Sequence, residues 1–200
     1  LLGAVEWGYE EDGATLLAHL EKIVQYNVQS SEKEKFDGVM LDIEPYISDS
    51  WKENPEEYMD RYISCMKKGY KFAQKNHLRT AICIPRHYDN QGLTSGLEEL
   101  IKETCDEVAV MNYSCGNEIE AIRTEAALSE KYGKELHCIL EFQEVGKHGL
   151  TENKTYRNKG IDNAKETWEK LQKEYKNINV TRDYHWSRPV REMLEEKNAD

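Results

Sequence analysis

The chain has 200 residues, 38% hydrophobic and 32% charged, enough apolar material for the core of one ordinary domain spanning 1–200. Asp and Glu number 38 against 27 Lys and Arg, so the net charge is -11 and no basic footprint exists for a phosphate backbone. Nucleic acid is therefore not expected as a partner, and with no apolar run near the roughly 20 residues of a bilayer span, membrane insertion is not expected either.

In chain order, six runs rich in apolar and β-branched residues read as strands: 2–7, 37–43, 79–84, 107–113, 136–142 and 179–184. Segments with helical periodicity alternate with them at 14–26, 55–75, 92–104, 118–132, 163–175 and 190–197. The first places Leu16, Leu17, Leu20, Ile23 and Val24 on one stripe, and the second places Tyr58, Tyr62, Ile63, Met66 and Tyr70 likewise. Such alternation is the mark of βα units on a parallel sheet. No glycine-rich phosphate fingerprint follows any strand, while polar residues gather after the C-terminal ends of several strands, which favours a (β/α)8 barrel over a doubly wound sheet. An eight-unit barrel takes about 250 residues, so the expected fold is an incomplete TIM barrel of six units whose first two are absent. The apolar opening Leu1-Leu2-Gly3-Ala4-Val5 accordingly reads as the result of a cut. Two exposed sheet edges would follow, with self-association through them.

The five cysteines, Cys65, Cys83, Cys105, Cys115 and Cys138, are odd in number and form no CxxC pair, so neither a disulfide framework nor a zinc ribbon is expected. No HxH, HExxH or GxSxG pattern occurs, and no metal or cofactor is expected.

Chemistry concentrates in Phe36 to Tyr46, FDGVMLDIEPY. In an extended strand Val39, Leu41 and Ile43 point one way and Met40, Asp42 and Glu44 the other. Two carboxylates about 7 Å apart on an inward face repel each other, which raises the pKa of one member. A protonated carboxyl can act as general acid on a leaving oxygen while its ionised neighbour stabilises positive charge, the division of labour of glycoside hydrolysis. Asp37-Gly38 reads instead as a turn into the strand. On the strand at 136–142, Glu141 shares a face with His137 near the C-terminal end.

With Asp37, Asp42 and Glu44, this segment resembles the DxxDxDxE signature of glycoside hydrolase family 18, the chitinases and endo-β-N-acetylglucosaminidases; Met40 stands where the family has its middle aspartate. Val110-Met111-Asn112-Tyr113 is similar to that family's MxY motif, and His185-Trp186 sits where a tryptophan floors its sugar pocket. The resemblance implies a 2-acetamido glycan as substrate, with Glu44 as general acid, Asp42 orienting the acetamide, Tyr113 binding it and Trp186 as platform. It also implies a secreted or cell-surface setting. The chain is similar as well to bacterial barrel proteins with FDG and LDIEPY strings, an IPxxYD segment and a glutamate in the penultimate strand, a likeness that supplies no activity.

Two further readings stay open. Glu44 as acid/base and Glu141 as nucleophile would follow the strand-four and strand-seven placement of retaining glycosidases that resemble the cellulase clan, although Ile43 replaces that clan's asparagine. Alternatively, with Met40 in place, the chain is a carbohydrate-binding barrel without catalysis. Glu6, Trp7, His87 and Asn112 complete the expected substrate-binding set, Trp51 and Trp7 are lesser platforms, and Trp168, inside a helical run, is expected in the core.

Overall fold

A computed structural model describes residues 2–199, with side chains to 195. The fold is α/β, with a five-stranded, all-parallel sheet in the order β1-β2-β3-β4-β5 alternating with helices. The strands are β1 (Gly38–Leu41), β2 (Arg79–Pro85), β3 (Glu107–Met111), β4 (Glu135–Glu141) and β5 (Val180–His185). The chain forms two compact units: the first runs to Ile84 and resumes over Tyr88–Val108, and the second takes Pro85–His87 and the chain from Ala109 onward.

In the first unit the strand expected at 2–7 is reduced to one parallel bridge, Leu2 to Leu41, followed by a 3-10 helix over Val5–Tyr9. Leu2 N–H donates to Met40 O and Asp42 N–H to Leu2 O. The backbones come close here: a Cβ on Gly3 would lie 1.7 Å from the Asp42 carbonyl oxygen, and Gly8 packs on Pro45. Helix α1 (Ala14–Gln29) starts after Gly13, whose φ of 66° suits glycine. A short helix, α2 (Asp49–Glu53), absent from the sequence reading, is capped by Ser48, whose hydroxyl accepts the Trp51 N–H at 3.1 Å.

Helix α3 (Pro55–Lys75) begins where expected, with Pro55 and then Glu56 and Glu57 in its first turn. It buries Met59, Tyr62, Ile63 and Met66, and Gly69 lets Leu16 of α1 come close. β1 pairs with β2 in the register Gly38 to Arg79 through Leu41 to Ile82. Gly38 is required there, since an added Cβ would stand 2.7 Å from Arg79 O. Helix α4 (Thr94–Thr104) buries Leu97, Leu100 and Ile101.

In the second unit the helix expected over 118–132 is broken into α5 (Glu118–Ala121) and α6 (Arg123–Tyr132). Side chains claim the carbonyls that a continuous helix would use: Asn112 Nδ2 donates to Glu118 O at 2.9 Å and Tyr175 OH to Ile119 O at 2.6 Å. Gly133, with φ 63°, then ends α6. Helix α7 (Ile161–Glu174) follows β4, and α8 (Ser187–Ala199) follows β5. Trp168 of α7 is in the core as expected, its indole N–H donating to Cys138 O at 2.9 Å. β4 and β5 pair from Leu136–Val180 to Glu141–His185. Among the described residues no helix is long and apolar enough to cross a membrane.

Candidate functional site

In the first unit the strand ends at Leu41, yet burial still alternates beyond it: Leu41 and Ile43 are buried, and Asp42 and Glu44 are half-buried. Glu44 precedes the 3-10 turn Pro45–Ile47. Its carboxylate receives a hydrogen bond from the Tyr46 hydroxyl, and no ion pair reaches it among the described residues. Tyrosines crowd this corner. Tyr9 OH donates to Pro45 O at 2.9 Å, Tyr46 meets Tyr88 edge-on at 5.9 Å, and Trp51 stacks on Tyr88 at 5.6 Å.

Burial, with the nearby Glu44 charge and Tyr9, raises the Tyr88 phenol well above its usual range. Burial does the same to Tyr62, seconded by Tyr88, Cys83, Cys65 and Asp42. Both phenols therefore stay neutral, and each faces one of the two carboxylates electrostatically. Trp51 is buried to 3% exposure and carries the Tyr88 stack, which removes it from the candidate sugar platforms. Trp7 is half-buried against the His19 ring at 4.4 Å, and Glu6 is exposed beside it.

The second unit holds a different arrangement. Glu141 ends β4 at 2% exposure and accepts four hydrogen bonds. The Phe142 and Gln143 N–H groups reach Oε1, both at 2.8 Å, and His185 Nδ1 at 2.8 Å and Gln143 Nε2 at 3.2 Å reach Oε2. Burial alone would raise this carboxyl, but the His185 hydrogen bond, the Gln143 backbone N–H, the His185 charge and the Gln143 amide together outweigh it. The net shift is downward, so Glu141 is held as a carboxylate: suited to act as nucleophile or electrostatic partner, and unsuited to be a general acid at neutral pH.

Tyr113 lies 6.0 Å ring to ring from His185, and Trp186 beyond it is 47% exposed, as a platform requires. His87 is half-buried in this unit. His137, on the face of β4 that carries Glu141, pairs with Asp183 of β5 at 2.8 Å. Asn112 does not line an open mouth: at 1% exposure its amide nitrogen is committed to the Glu118 carbonyl and to Cys138 Sγ.

Sequence reasoning missed Tyr46 and Gln143. Each lies two residues beyond the carboxylate it serves, so a search for donors at that offset would have found both. It also missed the network around Glu118, Tyr156 and Thr167, whose members lie far apart in the chain. Cys65, Cys83, Cys105 and Cys138 are buried and Cys115 is half-exposed, and no disulfide joins any two of them. Comparison of the chain with protein-family models, curated proteins and solved structures gives no match.

Proposed function

We propose that the protein cleaves glycosidic bonds of a 2-acetamido glycan, with Glu44 as general acid and Asp42 as its partner carboxylate, on a sheet that belongs to a (β/α)8 barrel. The observation that carries this reading is the placement of Glu44. It is a half-buried carboxyl just past the C-terminal end of β1, contacted by the Tyr46 phenol and by no cation among the described residues. A carboxyl that no lysine or arginine engages keeps its oxygens available to exchange a proton with a leaving oxygen. The parallel sheet supports the barrel, in which catalytic residues stand beyond strand C-termini.

In the reaction, Glu44 protonates the glycosidic oxygen as the bond to the anomeric carbon breaks. The substrate's own acetamide oxygen then bonds to that carbon, and Asp42 orients the acetamide and offsets its developing positive charge. Water, deprotonated by the Glu44 carboxylate, opens the resulting ring and returns the proton. The test is a matched pair of fluorogenic substrates, 4-methylumbelliferyl chitobioside and cellobioside. Release from the first alone is expected. Equal release from both, or from the cellobioside alone, overturns the acetamide's role. Met40, an apolar side chain where the resembled family has an acid, favours a second reading, binding without cleavage, which predicts saturable binding of chitin oligosaccharides and no release from either substrate.

A further inference from the structure

The second unit contains a cavity of about 680 Å³ that none of the residues above for glycoside cleavage lines. Its size falls in the roughly 300–1,000 Å³ range of small-molecule sites. Glu118 lines it at 8% exposure, and one side of that carboxylate is pinned: Gly116 N–H donates to Oε1 at 2.8 Å, and the Tyr156 hydroxyl donates to the same oxygen. Tyr156 OH is in turn shared with Thr167 Oγ1 at 2.8 Å. The second oxygen, Oε2, accepts no hydrogen bond among the described residues. A largely buried carboxylate on a cavity wall, held through one oxygen and with the other unused by the protein, can accept from a bound donor.

The remaining charged groups on the wall narrow the class of donor. Lys159 and Lys170 also line the cavity, and neither pairs with a carboxylate among the described residues. Glu120 and Glu174 line it too, but Glu120 is bound to Arg123 and Glu174 lies within that guanidinium's electrostatic reach. The uncompensated groups are thus one buried anion and two exposed cations. A simple cation would be repelled by the lysines and a simple anion by Glu118, whereas a molecule carrying both charges satisfies each.

We propose that this cavity binds a short peptide-sized zwitterion, its ammonium group on Glu118 Oε2 and its carboxylate between Lys159 and Lys170. No covalent step is involved, and the site is independent of Glu44.

The test uses the whole chain and the dipeptide L-alanyl-L-alanine, followed by calorimetry and by the amide resonance of Gly116, whose N–H reports on Glu118. The dipeptide binds and shifts that resonance, while its N-acetyl and C-terminal amide forms each bind at least about tenfold more weakly, the loss of one charge-assisted contact. E118Q weakens the free dipeptide similarly, and the exposed double variant K159S/K170S weakens it without changing the affinity for the C-terminal amide. If E118Q fails to fold, the ligand series and the lysine variant still decide. Absence of binding at millimolar dipeptide, or affinity indifferent to N-acetylation or to the lysine variant, overturns the proposal.

Discussion

Replacing Glu141 by glutamine probes a buried carboxylate that accepts four hydrogen bonds. The substitution keeps an acceptor for the Phe142 and Gln143 N–H groups, but it sets an amide nitrogen against His185 Nδ1 and Gln143 Nε2, both of which now address Oε2. Losing the two bonds to Oε2 costs about 1.5–3 kcal/mol for the one from His185 and less for the longer one from Gln143, and weakening the two backbone bonds to neutral ones adds about 1 kcal/mol, so E141Q should lose about 4 kcal/mol at pH 7. The pH dependence follows from the direction of the shift. Because the folded carboxyl sits below its ordinary value, its ionic stabilisation is complete above the unfolded pKa of about 4.3 and disappears as pH falls through the folded one. Urea unfolding of both proteins at pH 7 and pH 3 should therefore show a wide gap in midpoint that narrows in acid. A gap of the same size at both pH values, or E141Q as stable as the parent at pH 7, would refute the assignment of Glu141 as a held carboxylate.

Three other outcomes rest on separate features. Tyr62 buries a hydroxyl that has no partner among the described residues, so Y62F should equal the parent in thermal stability or exceed it by about 1 kcal/mol; a loss of that size would contradict the orphaned hydroxyl. At Gly69 a new Cβ would lie 2.5 Å from Leu16 Cδ2, and Leu16 is fully buried. Overpacking of about 1–3 kcal/mol against a helix-propensity gain of about 1 leaves G69A destabilised by about 1 kcal/mol, measurable by chemical denaturation, and a more stable variant would mean α1 and α3 are not so close. Burial, with Glu118 nearby, pushes the Cys115 thiol up to about 11, and burial pushes Cys65 and Cys138 to about 12. Iodoacetamide at pH 7.5 should thus modify the folded chain slowly, half-exposed Cys115 ahead of the buried thiols, and rapid labelling of Cys65 or Cys138 would count against their burial.

The βα alternation was legible because its signals are local. The stripe of α3 and its proline start gave its observed limits, and β2 through β5 fall within two residues of the expected ends. The opening segment was not legible, because Val5 and Trp7 suit a strand, whereas the structure puts them in a 3-10 helix packed through Gly8 on Pro45, a contact no local pattern encodes. The break at Ile122 has the same origin, since it depends on hydroxyl and amide groups from Tyr175 and Asn112. At the site, types and positions were readable and states were not. Asp42 and Glu44 show the expected alternation of burial, but the phenol on Glu44, the donors that ionise Glu141 and the burial of Trp51 and Asn112 all come from tertiary packing.

The central claim is that Glu44 delivers a proton to the leaving group, and leaving-group dependence in E44Q tests it most directly. A chitin oligosaccharide departs as a poor leaving group that needs the proton, whereas 2,4-dinitrophenolate departs without one. E44Q should cleave the oligosaccharide about 10²–10⁴-fold more slowly than the parent, while the first-turnover release of dinitrophenolate from the matching glycoside, which precedes the water step that also uses Glu44, falls by less than about tenfold. Equal losses on the two substrates, or undiminished cleavage of the oligosaccharide, would contradict the role assigned to Glu44.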